Sequence, residues 1–192
     1  MNFKSLLGMK KILALVVMTI ISLSAMAEDL YVGGSLNFWR NSTDEHTTIT
    51  VLPEIGYKLN NKWDLGIQIG YQHDEVGADD NKVIGNFFQI APYARYTYYT
   101  VGIVDLFVDG GFGIETGKTR FHGESSEAAT AWNIGFRPGV ALNLNNKFSL
   151  LAHFGFLGYE GANDGAKSVG NKEGFGLRFS GDALSFGMRY NF

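Results

Sequence analysis

Leu184-Ser185-Phe186-Gly187-Met188-Arg189-Tyr190-Asn191-Phe192 alternates large apolar residues with small or polar ones, and the chain stops on an aromatic. Side chains of an extended strand alternate between two faces, so Leu184, Phe186, Met188, Tyr190 and Phe192 share one side. That side has to be covered by a second protein layer or by lipid. The opposite end of the sequence bears on which.

Met9-Lys10-Lys11 precedes an apolar run from Ile12 to Ile21, followed by Ser24-Ala25-Met26-Ala27. A charged start, a short apolar stretch and an Ala-x-Ala site form the layout of a cleaved secretory signal. The run is short for a helix crossing about 30 Å of hydrocarbon. We therefore expect residues 1–27 to be a signal peptide and residues 28–192 to be the mature domain. The signal is complete from Met9, so Met1 and Met9 both stand as possible starts. The chain has no cysteine, which excludes a lipoprotein anchor, disulfides and thiolate metal sites. The three lysines in the signal, set against a net charge of −3, leave the mature chain at −6. An acidic chain with no basic stripe is not built for nucleic acid.

Period-two alternation recurs through the mature chain, with glycine and aromatics in place of good helix formers. Eight segments show it: Leu30–Arg40, Thr48–Leu59, Lys62–His73, Phe87–Tyr99, Val104–Thr116, Thr130–Leu144, Lys147–Tyr159 and Leu177–Phe192. Each has one apolar face free of charge, such as Trp63, Leu65, Ile67, Ile69 and Tyr71, or Phe148, Leu150, Ala152, Phe154 and Phe156. A charge facing lipid at mid-bilayer costs about 2–4 kcal/mol, so uncharged faces are expected of strands that meet lipid. Three connections are short, at Asn60-Asn61, Thr100–Ile103 and Asn145-Asn146. The four between them, Asn41–Thr47, Asp74–Gly85, Gly117–Ala129 and Glu160–Gly176, are long and polar. The expected fold is all-β, an eight-stranded antiparallel up-and-down transmembrane β-barrel with short turns at one rim and long loops at the other.

The segment Pro53–Leu65 resembles Pro138–Leu150, with Leu-Asn-Asn-Lys at the centre of both, so one strand–turn–strand hairpin is used twice. Asn pairs suit the positive φ angles of two-residue turns. All three prolines, Pro53, Pro92 and Pro138, then fall inside strands, where each forfeits a ladder hydrogen bond. The reading makes them bulges on the lipid side.

The mature chain resembles the small OmpA/OmpX-like outer-membrane barrels, of the porin-family or outer-membrane β-barrel type. The residues carrying the resemblance are the signal peptide, the repeated hairpin and the terminal Arg189-Tyr190-Asn191-Phe192. It implies export to the outer membrane of a Gram-negative cell. It also implies that Phe192 belongs to the signal read by the barrel-assembly machinery.

With the apolar face on lipid, the other face lines the lumen. It carries Glu54, Lys58, Asp64, Gln68, Gln89, Arg95, Asp109, Glu115, Asn133, Arg137, His153 and Arg189. The candidate lumen network is Glu54, Arg95, Asp109, Arg137 and Arg189, with Arg95 and Arg137 expected to pair with Glu54 and Asp109. Eight strands enclose a space just wide enough for side chains to fill, so these charges would close the lumen as a plug. His122, Glu124 and Ser125 share one loop, but mixed residue types in a glycine-bearing loop are weak evidence for a nucleophile and base. The acidic group Asp74, Glu75, Asp79 and Asp80 lacks calcium-loop spacing. No catalytic residue, metal or cofactor is expected. The function implied is structural or surface-interacting, in adhesion or envelope integrity, through four extracellular loops. The partners are outer-membrane lipid, lipopolysaccharide, the assembly machinery and an unknown extracellular ligand, and the protein is a monomer. A narrow pore for small solutes and a lipid A-modifying enzyme are the rival functions. A secreted calyx with its faces reversed is the rival fold.

Overall fold

The computed structural model describes residues 29–41, 46–77, 82–121, 124–168, 173–179 and 184–192. The expected signal peptide, His122, and the loop acids Asp44, Glu45, Asp79 and Asp80 lie outside these residues. Eight antiparallel strands run in chain order: β1 Leu30–Asn41, β2 His46–Lys58, β3 Trp63–Val76, β4 Val83–Val101, β5 Val104–Phe121 and β6 Ala129–Asn143. Strand β7 is in two pieces, Phe148–Phe154 and Phe156–Ala162, and β8 is in two, Gly174–Arg178 and Leu184–Asn191. Each strand pairs with its sequence neighbour. The ring closes where β1 meets β8, from Tyr31 opposite Asn191 to Ser35 opposite Gly187.

The faces separate opposite to those of a water-soluble protein. Trp63, Leu65, Ile69 and Tyr71 are each more than 40% exposed on the outside of β3. Arg95 is 2% exposed, and Glu54, Asp64 and Asp109 are nearly as deeply buried. An apolar wall this large is compatible with lipid and not with water, which removes the calyx. The few apolar side chains inside include the small cluster of Phe107, Ala141 and Leu151.

The repeated hairpins are built alike, but not as two-residue turns. Four residues connect each pair of strands, Leu59–Lys62 and Leu144–Lys147. In both, the first Asn uses its side-chain carbonyl. Asn60 Oδ1 accepts from the Lys62 and Trp63 amides at 2.9 and 3.0 Å, and Asn145 Oδ1 accepts from Lys147 and Phe148 at 2.8 and 2.9 Å. Asn closes these turns as an acceptor for orphan amides. The third short connection does use a two-residue turn, Gly102-Ile103, with Gly102 at φ +60°.

The long-loop side differs more from expectation, because several strands continue past the apolar zone into polar sequence. Strand β5 reaches Phe121, where Glu124-Ser125 folds back onto Arg120 and Phe121. Strand β8 begins at Gly174, inside the segment read as loop. Alternating hydrophobicity marks only the part of a strand that meets lipid, whereas hydrogen bonding continues in water. Between β7 and β8 a short helix, α1 (Asp164–Ser168), is capped by Asn163. Asn163 Oδ1 accepts from the Ala166 amide at 2.8 Å and the Thr130 amide at 2.9 Å, tying this loop to β6.

The prolines are not uniformly bulges. Around Pro53 and Pro92 the pairing to the next strand is interrupted and resumes in the same register. Beside Pro138 the β6–β7 register does shift by one residue, from Gly139 opposite His153 to Phe136 opposite Leu157. The extra residue is Gly155, at φ +84°. This bulge reverses the facing of everything beyond it. Phe156, expected on the lipid side, is buried in the lumen at 8% exposure.

Candidate functional site: a charged plug in the lumen

The side chains expected inside do lie inside, and most meet in one layer near the short-turn rim. On adjacent strands, Arg95 and Asp109 form a two-pronged ion pair: Nε donates to Oδ1 at 2.7 Å and Nη2 to Oδ2 at 2.8 Å. Two parallel charge-assisted bonds fix orientation as well as energy. His153, on β7, places Nε2 2.8 Å from the same Oδ2, so the pair also reaches over β6. The Arg95 guanidinium sits 4.0 Å over the Phe107 ring and 5.3 Å from that of Tyr93.

A second ion pair crosses more of the lumen. Arg189 on β8 donates from Nη1 to Asp64 Oδ2 on β3 at 2.7 Å. Its guanidinium lies 4.2 Å over the ring of Tyr31, which belongs to the intervening β1. Between these two pairs the hydroxyls of Tyr31 and Tyr93 are 2.9 Å apart, and Tyr93 donates to Glu54 Oε2 at 3.1 Å. Gln68 Nε2 donates to the same oxygen at 3.2 Å.

The predicted network is thus partly joined and partly re-paired. Arg95 and Asp109 meet, but Glu54 takes a tyrosine and an amide in place of an arginine. Arg137 stands opposite Asp109 in the backbone register, yet its guanidinium donates to Asn133 Oδ1 at 3.2 Å. Gln89 and Glu115 face each other nearer the long loops, Lys58 stands opposite Asp64 in the β2–β3 register, and none of the three makes a side-chain hydrogen bond among the described residues. Phe192 is half-buried at the short-turn rim, its amide donating to the Leu30 carbonyl at 3.1 Å and its ring 5.1 Å from Tyr190.

Sequence reading missed Tyr31, Tyr93 and Phe107, which fill the middle of the plug. Tyr31 and Phe107 are 0% and 1% exposed. Their strand parity was a usable signal, since each lies two residues from a small or charged lumen position. The glycines facing them were a second. A Cβ at Gly66 would lie 2.5 Å from the Tyr93 ring and 2.8 Å from the Tyr31 hydroxyl. The bulky rings occupy space that glycine leaves free.

Closed strands, a lipid-compatible outer wall and a polar, filled interior define a transmembrane barrel of the outer-membrane type. A family model described as the outer membrane protein beta-barrel domain matches residues 13–192, and the chain belongs to that family. Among solved structures the chain is similar to Neisserial surface protein A, at 17% identity over 85% of this chain and 96% of that one, with a TM-score of 0.51. It also matches the N-terminal β-barrel domain of Pseudomonas aeruginosa OprF, at 14% identity over 86% and 98% of the two chains, with a TM-score of 0.47. At these identities the likeness is one of fold. A comparison with curated protein sequences finds no match.

Proposed function

We propose that this protein is a closed, monomeric outer-membrane barrel that acts through its extracellular loops, in adhesion or envelope integrity, and neither conducts solutes nor performs chemistry. The observation that carries this reading is the plug. Two ion pairs and three buried aromatic rings cross the lumen at one level, joined by hydrogen bonds and cation–ring contacts. A narrow pore needs a continuous polar path, and this layer opposes one.

The arrangement of the three histidines among the described residues favours a non-enzymatic role. At the long-loop mouth His46, Thr48 and Asp74 come together, but one ring nitrogen, Nε2, faces both the Thr48 hydroxyl at 3.1 Å and the Asp74 carboxylate at 3.9 Å. A relay of the serine-hydrolase kind requires the two nitrogens to face different partners. His73 Nδ1 contacts the Asn86 side chain at 2.9 Å, and His153 is committed to Asp109.

Export by a cleaved signal, recognition of Phe192 by the assembly machinery, and contact of the acidic loops with lipopolysaccharide through divalent cations complete the proposal. Recording in planar lipid bilayers tests it: no stepwise conductance is expected from the refolded protein. Reproducible single-channel steps from the wild-type protein, enlarged by a plug substitution, would replace the proposal with a pore. For the loop role, replacing residues 163–173 by a short linker should leave the barrel heat-resistant on gels while changing cell adhesion or sensitivity to cationic peptides.

A further inference from the structure

On the long-loop side of the plug lies a cavity of about 360 Å³. Its size falls in the range of pockets that hold small ligands. The carboxylates and guanidiniums in and directly beneath its walls number three of each. Asp109 is held by Arg95, and Glu160 is held by Arg178. Glu54 and Arg137 remain, and neither has an opposite charge within 4 Å among the described residues. Glu54 is 5% exposed, and its Oε1 has no hydrogen-bond partner at all. Arg137 makes one bond, to Asn133. Its guanidinium is 5.8 Å from the Phe156 ring, the side chain that the Gly155 bulge turns inward.

These two residues sit on β2 and β6, four strands apart in a ring of eight, so they face each other across the lumen. An ion drawn out of water without a counter-ion is costly, for buried Glu54 more than for half-buried Arg137, and an opposite charge on the far wall relieves neither. From this arrangement we infer that the cavity is a binding site for a small dipolar molecule. A cationic amine would sit at Glu54 and a carboxylate or phosphate at Arg137. A ligand with both charges completes both walls at once and leaves the cavity neutral. A singly charged ligand satisfies one wall and leaves the ion on the other without a partner. Gln68 and Asn133, bonded to Glu54 and Arg137 respectively, fix the two ends. The plug beneath makes this a site of retention and not of passage. The inference is independent of the loop function proposed above.

The test uses the refolded protein in detergent with a series of unbranched ω-amino acids from glycine to 6-aminohexanoate. Hexanoate and hexylamine serve as singly charged controls, and binding is read by isothermal calorimetry. One chain length should bind on the order of tenfold tighter than either control, because each charged end adds a charge-assisted bond. Glu54→Gln and Arg137→Gln should each remove that preference, with heat-modified migration on gels confirming a folded barrel. Glycerophosphoethanolamine and a short-chain phosphatidylethanolamine distinguish the source of the ligand. Tighter binding of the lipid assigns a headgroup, and equal binding assigns a free solute. If no member of the wild-type series binds, or if the controls bind as tightly as the amino acids, the inference is wrong. That comparison stands even where a variant fails to fold.

Discussion

Arg189 and Asp64 are 125 residues apart in sequence and three strands apart in the ring, yet their side chains meet at 2.7 Å. The bond spans β1 and β2 and so bridges the seam where the first strand meets the last. Among the described residues β1 pairs with β8 from Tyr31 to Ser35, with one further bond from the Phe192 amide to the Leu30 carbonyl, so the backbone ladder described at this seam is short. A largely buried ion pair just above the short-turn rim adds a second tie at the junction that closes the barrel. Losing one partner leaves the other charge buried alone, at a cost of about 3–5 kcal/mol. Arg189→Met should therefore lower the unfolding midpoint in urea and raise amide exchange in Tyr31–Ser35 more than elsewhere.

The Arg95–Asp109 pair allows a double-mutant cycle. Either single change, Arg95→Met or Asp109→Asn, should destabilise by about 3–5 kcal/mol, and the double change should cost clearly less than their sum. Arg137 with Asp109 should be closer to additive, because the guanidinium bonds Asn133 instead. The cycles are read from denaturant midpoints in lipid vesicles. Strict additivity at Arg95 and Asp109 would contradict the two-pronged geometry.

Gly66→Val places a branched side chain where the Tyr93 ring and Tyr31 hydroxyl already stand. Overpacking of this kind costs about 1–3 kcal/mol, so the variant should fold with a lower midpoint. A Tyr93→Leu background, which removes the hydroxyl and shrinks the ring, should tolerate the valine better.

Ile67 is on the lipid side of β3, paired with Ile55 and Pro92 on its two neighbours. Ile67→Arg should destabilise the folded barrel by about 2–4 kcal/mol in a bilayer. The native protein should migrate differently on gels before and after boiling. Deleting Phe192 should lower the amount reaching the outer membrane, measured by fractionation, while the purified variant still refolds in detergent.

The β7–β8 loop offers a pH test. Lys167 Nζ lies 2.7 Å from Glu173, and the Tyr159 hydroxyl donates to the same residue at 3.1 Å. The hydrogen bond from Lys167 holds the Glu173 carboxyl below its ordinary range. A depressed carboxylate pKa favours the tied loop above the unfolded value and loses that support as pH falls through the folded one. Proteolysis of this loop should therefore be slow and flat at neutral pH and rise only in acid below the usual glutamate range. Glu173→Gln should remove the pH dependence.

The barrel itself was readable from period-two alternation because lipid imposes it. Every second side chain must be apolar wherever a strand crosses hydrocarbon, and eight such runs with alternating short and long connections leave little choice of fold. The same parity placed Glu54, Asp64, Arg95, Asp109, His153 and Arg189 inside, and it would have placed Tyr31, Tyr93 and Phe107 there too. What parity does not carry is the register between strands or its interruption. Nothing in the residues around Gly155 announces a bulge, so alternation alone points Phe156 at lipid although it lies beside Arg137. Nor could it decide that Asp109 would take Arg95 and not Arg137. Both arginines stand opposite it, on its two neighbouring strands, and the choice depends on side-chain reach within a closed ring. Alternation is a local property of each strand and is written in its residues. The partner of a buried charge depends on tilt, stagger and bulges summed around eight strands, and those exist only once the ring has closed.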